Sequence, residues 1–123
     1  MPRRPTRTVS EAQIEQQVRE VFARRGYLSV KTEAGKSGHR LPVGFPDGLA
    51  FLPVRGTRFA LVALVELKTR SGKLSPDQVK YHALLRSHAL QPLIIRDAES
   101  ADALAAEGRE LRRRIEALLQ ENP

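Results

Sequence analysis

An aspartate in GFPDG, and a glutamate and lysine flanking one leucine in VELKTRSGKLSPDQ, are the residues of this chain best suited to chemistry. Asp47 and Glu66 offer hard oxygen ligands, which suit Mg²⁺ or Mn²⁺ rather than zinc, and Mg²⁺ keeps waters that a phosphate can replace. Lys68 follows Glu66 by two residues and so shares its face of a strand. There an ammonium can orient an attacking water and stabilise charge building on a phosphoryl group. The chemistry suggested is metal-assisted hydrolysis of a phosphodiester. Each residue taken alone has an ordinary reading, since PDG is a common turn tripeptide and Glu66 with Lys68 suits a solvated strand end. Their combination at the end of an apolar run argues otherwise, because two acids gathered beside an apolar sheet need a compensating charge.

The elements that must position them follow from periodicity and capping signals. Ser10 and Gln13 form a capping box, Ile14, Val18, Val21 and Phe22 make an apolar stripe, and Gly26 supplies a left-handed stop, which predicts a helix from Glu11 to Arg25. YLSVKTE reads as a strand, AGKSGHRLPVG as a basic, Gly-rich loop, and FPDGLAFLPV with RFALVALVEL as a hairpin around Val54 to Thr57. Pairing Val54 with Thr57 puts Asp47 opposite Leu64 and makes Glu66 its diagonal neighbour, about 7 to 8 Å away at the backbone. Both alternating sets of RFALVALVEL are apolar, so that strand is expected mid-sheet with helices above and below. Ser75, Pro76 and Gln78 open a second capped helix that runs to about Ser87 with Val79, Leu84 and Leu85 inward. PLIIR is a further strand. A last helix from Glu99 to Gln120 carries Leu104, Leu111, Ile115 and Leu118, with Gly108 as a weak point. The order α-β-β-β-α-β-α gives an α/β fold, a small mixed sheet flanked by helices.

Composition bounds the rest. A chain of 123 residues builds one modest core, expected over residues 10–121, after a basic arm over residues 1–9. The absence of cysteine excludes disulfides and thiolate metal sites, and no apolar run approaches a membrane span or the core of a signal peptide, so a cytoplasmic protein is expected. A formal charge of +7 favours a polyanionic partner.

GFPDG, then VELKTRSGKLSPDQ, then a capped helix resembles the VRR-NUC branch of the PD-(D/E)XK nuclease superfamily. Asp47 stands in the PD position, Glu66, Leu67 and Lys68 in the ExK position, and Gly72, Leu74, Ser75 and Gln78 continue the pattern. The match extends from about Ser10 to Arg96. It implies a restriction-endonuclease-like core and a Mg²⁺-dependent DNA nuclease in which Mn²⁺ substitutes. Asp47, Glu66 and the main-chain carbonyl of Leu67 would bind the metal, and Lys68 would serve the water. A glutamate of the first helix would complete the site, and counting back from Gly26 favours Glu15 over Glu11. The ordinary role for Glu15 is an ion pair with Arg19 at i+4.

Gln78 is accounted for by its capping box, yet the resemblance also places a glutamine beside the active site. Tyr81, one turn later, either faces the same cleft or packs under its helix, and packing is favoured. His39, His82 and His88 show no metal spacing and are assigned no catalytic role. Lys36, His39 and Arg40, together with Arg70 and Lys73 beside the ExK motif, are the expected contacts to a phosphate backbone. The four arginines between Arg109 and Arg114 could extend that face, and without tryptophan a base-stacking platform is poorly supported. Small members of this branch resemble Holliday-junction resolvases and look like homodimers. The implied function is therefore a structure-selective endonuclease on branched DNA, with the last helix as a candidate dimer surface. Two other readings remain open, a noncatalytic DNA-binding accessory and a nuclease subunit active only with a partner.

Overall fold

The structure, a computed structural model, describes residues 9–33 and 41–121. The basic arm up to residue 8 and the loop residues Lys36, His39 and Arg40 lie outside the described residues. The element order is α1 (Glu11–Arg24), β1 (Leu28–Lys31), β2 (Gly48–Pro53), β3 (Ala60–Leu67), α2 (Pro76–Ser87), β4 (Pro92–Ile95) and α3 (Ala98–Glu121). It is the α/β order the sequence predicts.

Both expected capping boxes form. Ser10 Oγ accepts from Gln13 N while Gln13 Oε1 accepts from Ser10 N, and Ser75 and Gln78 repeat the exchange. Each satisfies two of the donors that a helix start leaves orphaned. Gly26 turns α1 into β1 at a φ of 89°, a conformation that favours glycine.

The sheet is mixed, with strand order β1-β2-β3-β4, antiparallel across the first two pairs and parallel between β3 and β4. The helices α1 and α3 pack on one face. There Ile14, Val18, Val21 and Phe22 meet Ala50, Leu52, Val65, Leu67 and Ile95, with Ala101 and Ala105 from α3. Tyr27 reaches across to donate to the carbonyl of Ala105, and a Cβ at position 108 would collide with its hydroxyl. The glycine that reads as a weak point in a 24-residue helix is thus the place where α3 makes room for Tyr27.

Three expectations need correction. The hairpin closes on Val54 and Phe59, because Val54 N donates to Phe59 O, so the turn sits two residues further on than a Val54–Thr57 pair allows. In the resulting register Gly48 faces Val65, and one more step along the ladder brings Asp47 opposite Glu66 rather than Leu64. An even shift keeps every side chain on its face, so the convergence of the acids survives and tightens. Second, β3 lies mid-sheet, but its faces are not equally covered. On the face away from α1 and α3, Val62 is 50% exposed and its neighbours Leu28, Val30 and Ile94 are also exposed. Third, α2 turns His82 and Leu85 inward and leaves Val79 and Leu84 exposed. The reason lies in Glu66, whose buried carboxylate draws polar residues of α2 toward the sheet.

The last helix is divided in use. Ala101, Leu104 and Ala105 pack on the core, whereas Leu111 and Leu118 are exposed.

Candidate active site

Glu66 is the centre of the site. It occupies the penultimate position of β3, with no exposed surface, on the face opposite Val65 and Leu67. A carboxylate in that position must find partners or neutralise. Its oxygens divide them: Oε1 lies 2.8 Å from His82 Nε2, and Oε2 accepts from Gln78 Nε2 at 3.3 Å. Gln78 therefore caps α2 with its carbonyl oxygen and reaches Glu66 with its amide nitrogen.

Asp47 enters from the facing strand. Thr32 N donates to Asp47 O and Thr32 Oγ1 donates to Pro46 O, which fixes the Pro46–Asp47 backbone against the end of β1. The Asp47 side chain then bridges to β3, where Oδ2 accepts from Leu67 N at 2.8 Å. Behind it, Gly44 at a φ of 90° lies so close to the Asp77 carbonyl that a Cβ would overlap it. This close approach lets the GFPDG loop lean on the first turn of α2. Phe45 of the same loop packs at a tilt against Tyr81, with ring centroids 5.6 Å apart.

The electrostatics are unbalanced. Burial, a hydrogen bond with the Asp47 carboxyl and the Asp47 charge push Glu66 up to about 9, while the Lys68 charge pulls the other way. Burial, with the nearby Arg86 charge, lowers the pKa of His82. Neither Gln78 nor a neutral His82 supplies a positive charge to the pair of acids. Lys68 is half-buried, its backbone tied to Ile95 O, and among the described residues its ammonium lies within 4 Å of no carboxylate.

Glu15 faces the same end of the sheet. Together with Glu11, Lys31, Glu33, Asp47 and Leu67 it lines a cleft of about 270 Å³. Its carboxylate is held by Lys31 at 3.6 Å and Arg19 at 3.8 Å. The i+4 pair considered from sequence is thus present in a residue that also borders Asp47. Among the described residues, no three His, Cys, Asp or Glu side chains converge closely enough to hold a metal ion by themselves. What converges is the Asp47–Glu66 pair.

The loop after β3 carries Arg70 and Lys73, both exposed. Arg96, just beyond β4, staples that loop by donating from Nη1 to the carbonyls of Thr69 and Gly72 at 2.7 Å each. Neither Arg96 nor His82 was singled out from sequence for these roles. The signal for His82 was its spacing, four residues after Gln78 and therefore on the same helix face.

The arginines of α3 lie elsewhere. Arg109, Arg112 and Arg113 border a surface hollow with Arg25 and Arg55, the latter in the β2–β3 turn at the far end of the sheet. Eight residues of β3 separate the two ends, about 25 Å of strand.

No described helix is long and apolar enough to cross a membrane. The sequence matches no protein-family profile and no curated protein. Among solved structures, a chain described as a VRR-NUC domain superposes with a TM-score of 0.60 and 26% identity, covering 76% of this chain and 91% of its own. The mixed sheet and flanking helices are those of an α/β, restriction-endonuclease-like fold, and the likeness supports a VRR-NUC domain, a nuclease type, for this chain.

Proposed function

We propose that this VRR-NUC-like chain is a metal-dependent DNA endonuclease selective for branched DNA. The observation that carries the reading is the Asp47–Glu66 pair, two carboxyl-bearing residues facing each other across β2 and β3 at a buried strand end, with Lys68 one residue beyond β3 and its charge felt by Glu66. Such a pair is costly without a cation, and burial beside Asp47 pushes the Glu66 carboxyl up to about 9. The donor set fits Mg²⁺ or Mn²⁺, with Asp47, Glu66 and the Leu67 carbonyl as the protein ligands and Glu15 as a further one through water.

When bound there, the divalent ion would supply Lewis-acid polarisation of the scissile phosphate and acidify the attacking water. Everything else falls to the chain. Asp47, locked to Leu67 N, and Glu66, locked to α2, fix where the phosphate can sit. Lys68 orients the water and stabilises the charge that accumulates as the new P–O bond forms and the leaving oxygen departs. Arg70 and Lys73, on the exposed loop stapled by Arg96, would meet the DNA backbone, joined by Lys36, His39 and Arg40 from the preceding loop.

A homodimer belongs to the same reading, because paired cuts in a branched substrate need two sites related by a twofold. The apolar sheet face around Val62, which α1, α2 and α3 leave open among the described residues, favours a second copy as its cover. Incubation of the protein with labelled single-stranded, duplex, flap and four-way-junction DNA in Mg²⁺ tests the substrate preference. Paired symmetric nicks in the junction are expected, and equal cutting of all four substrates would overturn the selectivity. Sedimentation of Val62→Glu against the unchanged protein tests the dimer: a shift from dimer to monomer is expected, and an unchanged mass removes this face from the account.

A further inference from the structure

We propose that His82 is a positioning residue of the active site, holding the Glu66 carboxylate in the orientation that presents it, beside Asp47, to a divalent cation. The inference rests on the nuclease reading of the Asp47–Glu66 pair and adds to it a residue that lies outside the ExK motif.

The geometry is specific. Gln78 and His82 stand one turn apart on α2 and take one Glu66 oxygen each, Oε2 and Oε1. Two hydrogen bonds to separate oxygens set the rotation of a carboxylate about its last torsion, which one bond leaves free. Of the two, the His82 contact is the shorter, at 2.8 Å against 3.3 Å. His82 is also 1% exposed, so its ring is held by packing and has no alternative partner in solvent. The bond runs from α2 to β3, the strand that carries Glu66 and ends one residue before Lys68, so it also fixes α2 over the site.

The chemistry of the partner matters as much as its position. At the far end of the sheet, Glu116 is held by the Arg55 guanidinium, a permanent cation that satisfies its charge. A guanidinium in the place of His82 would orient Glu66 equally well and compete with the metal for it. An imidazole Nε2–H orients the carboxylate through one hydrogen bond and leaves its remaining lone pairs for a hard cation.

An ordinary buried histidine would give the same burial without this role, and metal affinity separates the two. Mn²⁺ binding to the full chain is measured by calorimetry and by electron paramagnetic resonance for the unchanged protein, His82→Leu, His82→Gln and His82→Asn. Removal of a hydrogen bond that orients a metal ligand weakens binding by about 10- to 100-fold. His82→Leu is expected to lose that much, and His82→Gln, whose amide reaches the old Nε2 position, to recover most of it. His82→Asn, one methylene shorter, should not recover. In cleavage assays the loss should fall on kcat with KM for DNA unchanged. Wild-type affinity in a folded His82→Leu protein overturns the proposal. Should His82→Leu fail to fold, the Gln and Asn variants decide: Gln binding Mn²⁺ more tightly than Asn supports the role, and equal affinities overturn it. An unchanged protein that binds no Mn²⁺ would instead bring down the metal-site reading itself.

Discussion

The two ends of the sheet treat their acids in opposite ways. At the hairpin end, Glu116 takes the backbone and guanidinium of Arg55, and Glu110 on the same helix takes Arg113. These bonds hold both carboxyls down at about 2. At the other end Glu66 meets a second acid instead of an arginine, and it is pushed up to about 9. One end has completed its charges from within the chain, and the other brings two carboxyl groups together with no lysine or arginine paired to Glu66 among the described residues, the observation behind the proposed cation. A protein with 21 Lys and Arg had the means to neutralise Glu66 with one of them, and its α2 supplies an amide and an imidazole.

The sharpest way to break this contrast is to remove one acid from the unbalanced end. Asp47→Asn should lower Mg²⁺-dependent cleavage by at least about a hundredfold, the order expected for loss of a group that acts on transition-state charge. Its circular dichroism should be unchanged, because an amide oxygen can still accept from Leu67 N. Activity within a factor of two of the unchanged protein would mean that Asp47 is the turn residue its PDG context suggests.

A second test uses pH. Glu66 has a folded pKa raised from 4.5 to about 9, so its contribution to stability is full below the unfolded value and fades as pH rises through the folded one. In EDTA the melting temperature should fall as pH rises from about 5 toward 9. Glu66→Gln, which imitates the protonated form, should flatten that slope, and saturating Mg²⁺ should flatten it in the unchanged protein. A slope that persists in Glu66→Gln assigns it to other groups. The acids at the hairpin end act in the opposite sense, since depressed pKa values contribute above the ordinary carboxylate range and lose that contribution only as pH falls toward 2.

The smallest effect belongs to the completed end. Arg55 is largely exposed, and exposed ion pairs add little. Arg55→Ala should shift the melting temperature by no more than about two degrees and leave cleavage unchanged. A large loss of cleavage would mean that this hollow of arginines also holds DNA.

How much of this was legible depended on whether a signal was local. The capping boxes at Ser10 and Ser75, the Gly26 stop and the order of strands each rest on a few adjacent residues, and all appear in the fold. That Asp47 and Glu66 share one face was legible because face alternation along a strand survives an even error in register. The turn itself was misplaced, since the Thr57 hydroxyl, which bonds to the Val54 carbonyl and accepts from Phe59 N, closes it two residues later. The inward face of α2 was misjudged for a deeper reason. Apolar pattern points a helix by its Val and Leu, but here a buried carboxylate on another element claimed Gln78 and His82, and Val79 and Leu84 went to the outside. A histidine with no metal spacing gave no sign of this by itself. Only its distance from Gln78, four residues, tied it to the site.

If the unbalanced end of the sheet is a hydrolytic site, Lys68 is needed for cutting and dispensable for metal binding. Four-way-junction DNA is incubated with the unchanged protein and with Lys68→Ala, in Mg²⁺ and in EDTA, with Mn²⁺ affinity measured on both proteins. Mg²⁺-dependent cutting by the unchanged protein alone is the outcome expected of a hydrolytic site there, with Lys68→Ala still folded and still binding Mn²⁺. Cutting by Lys68→Ala at the wild-type rate, or by either protein in EDTA, would contradict it.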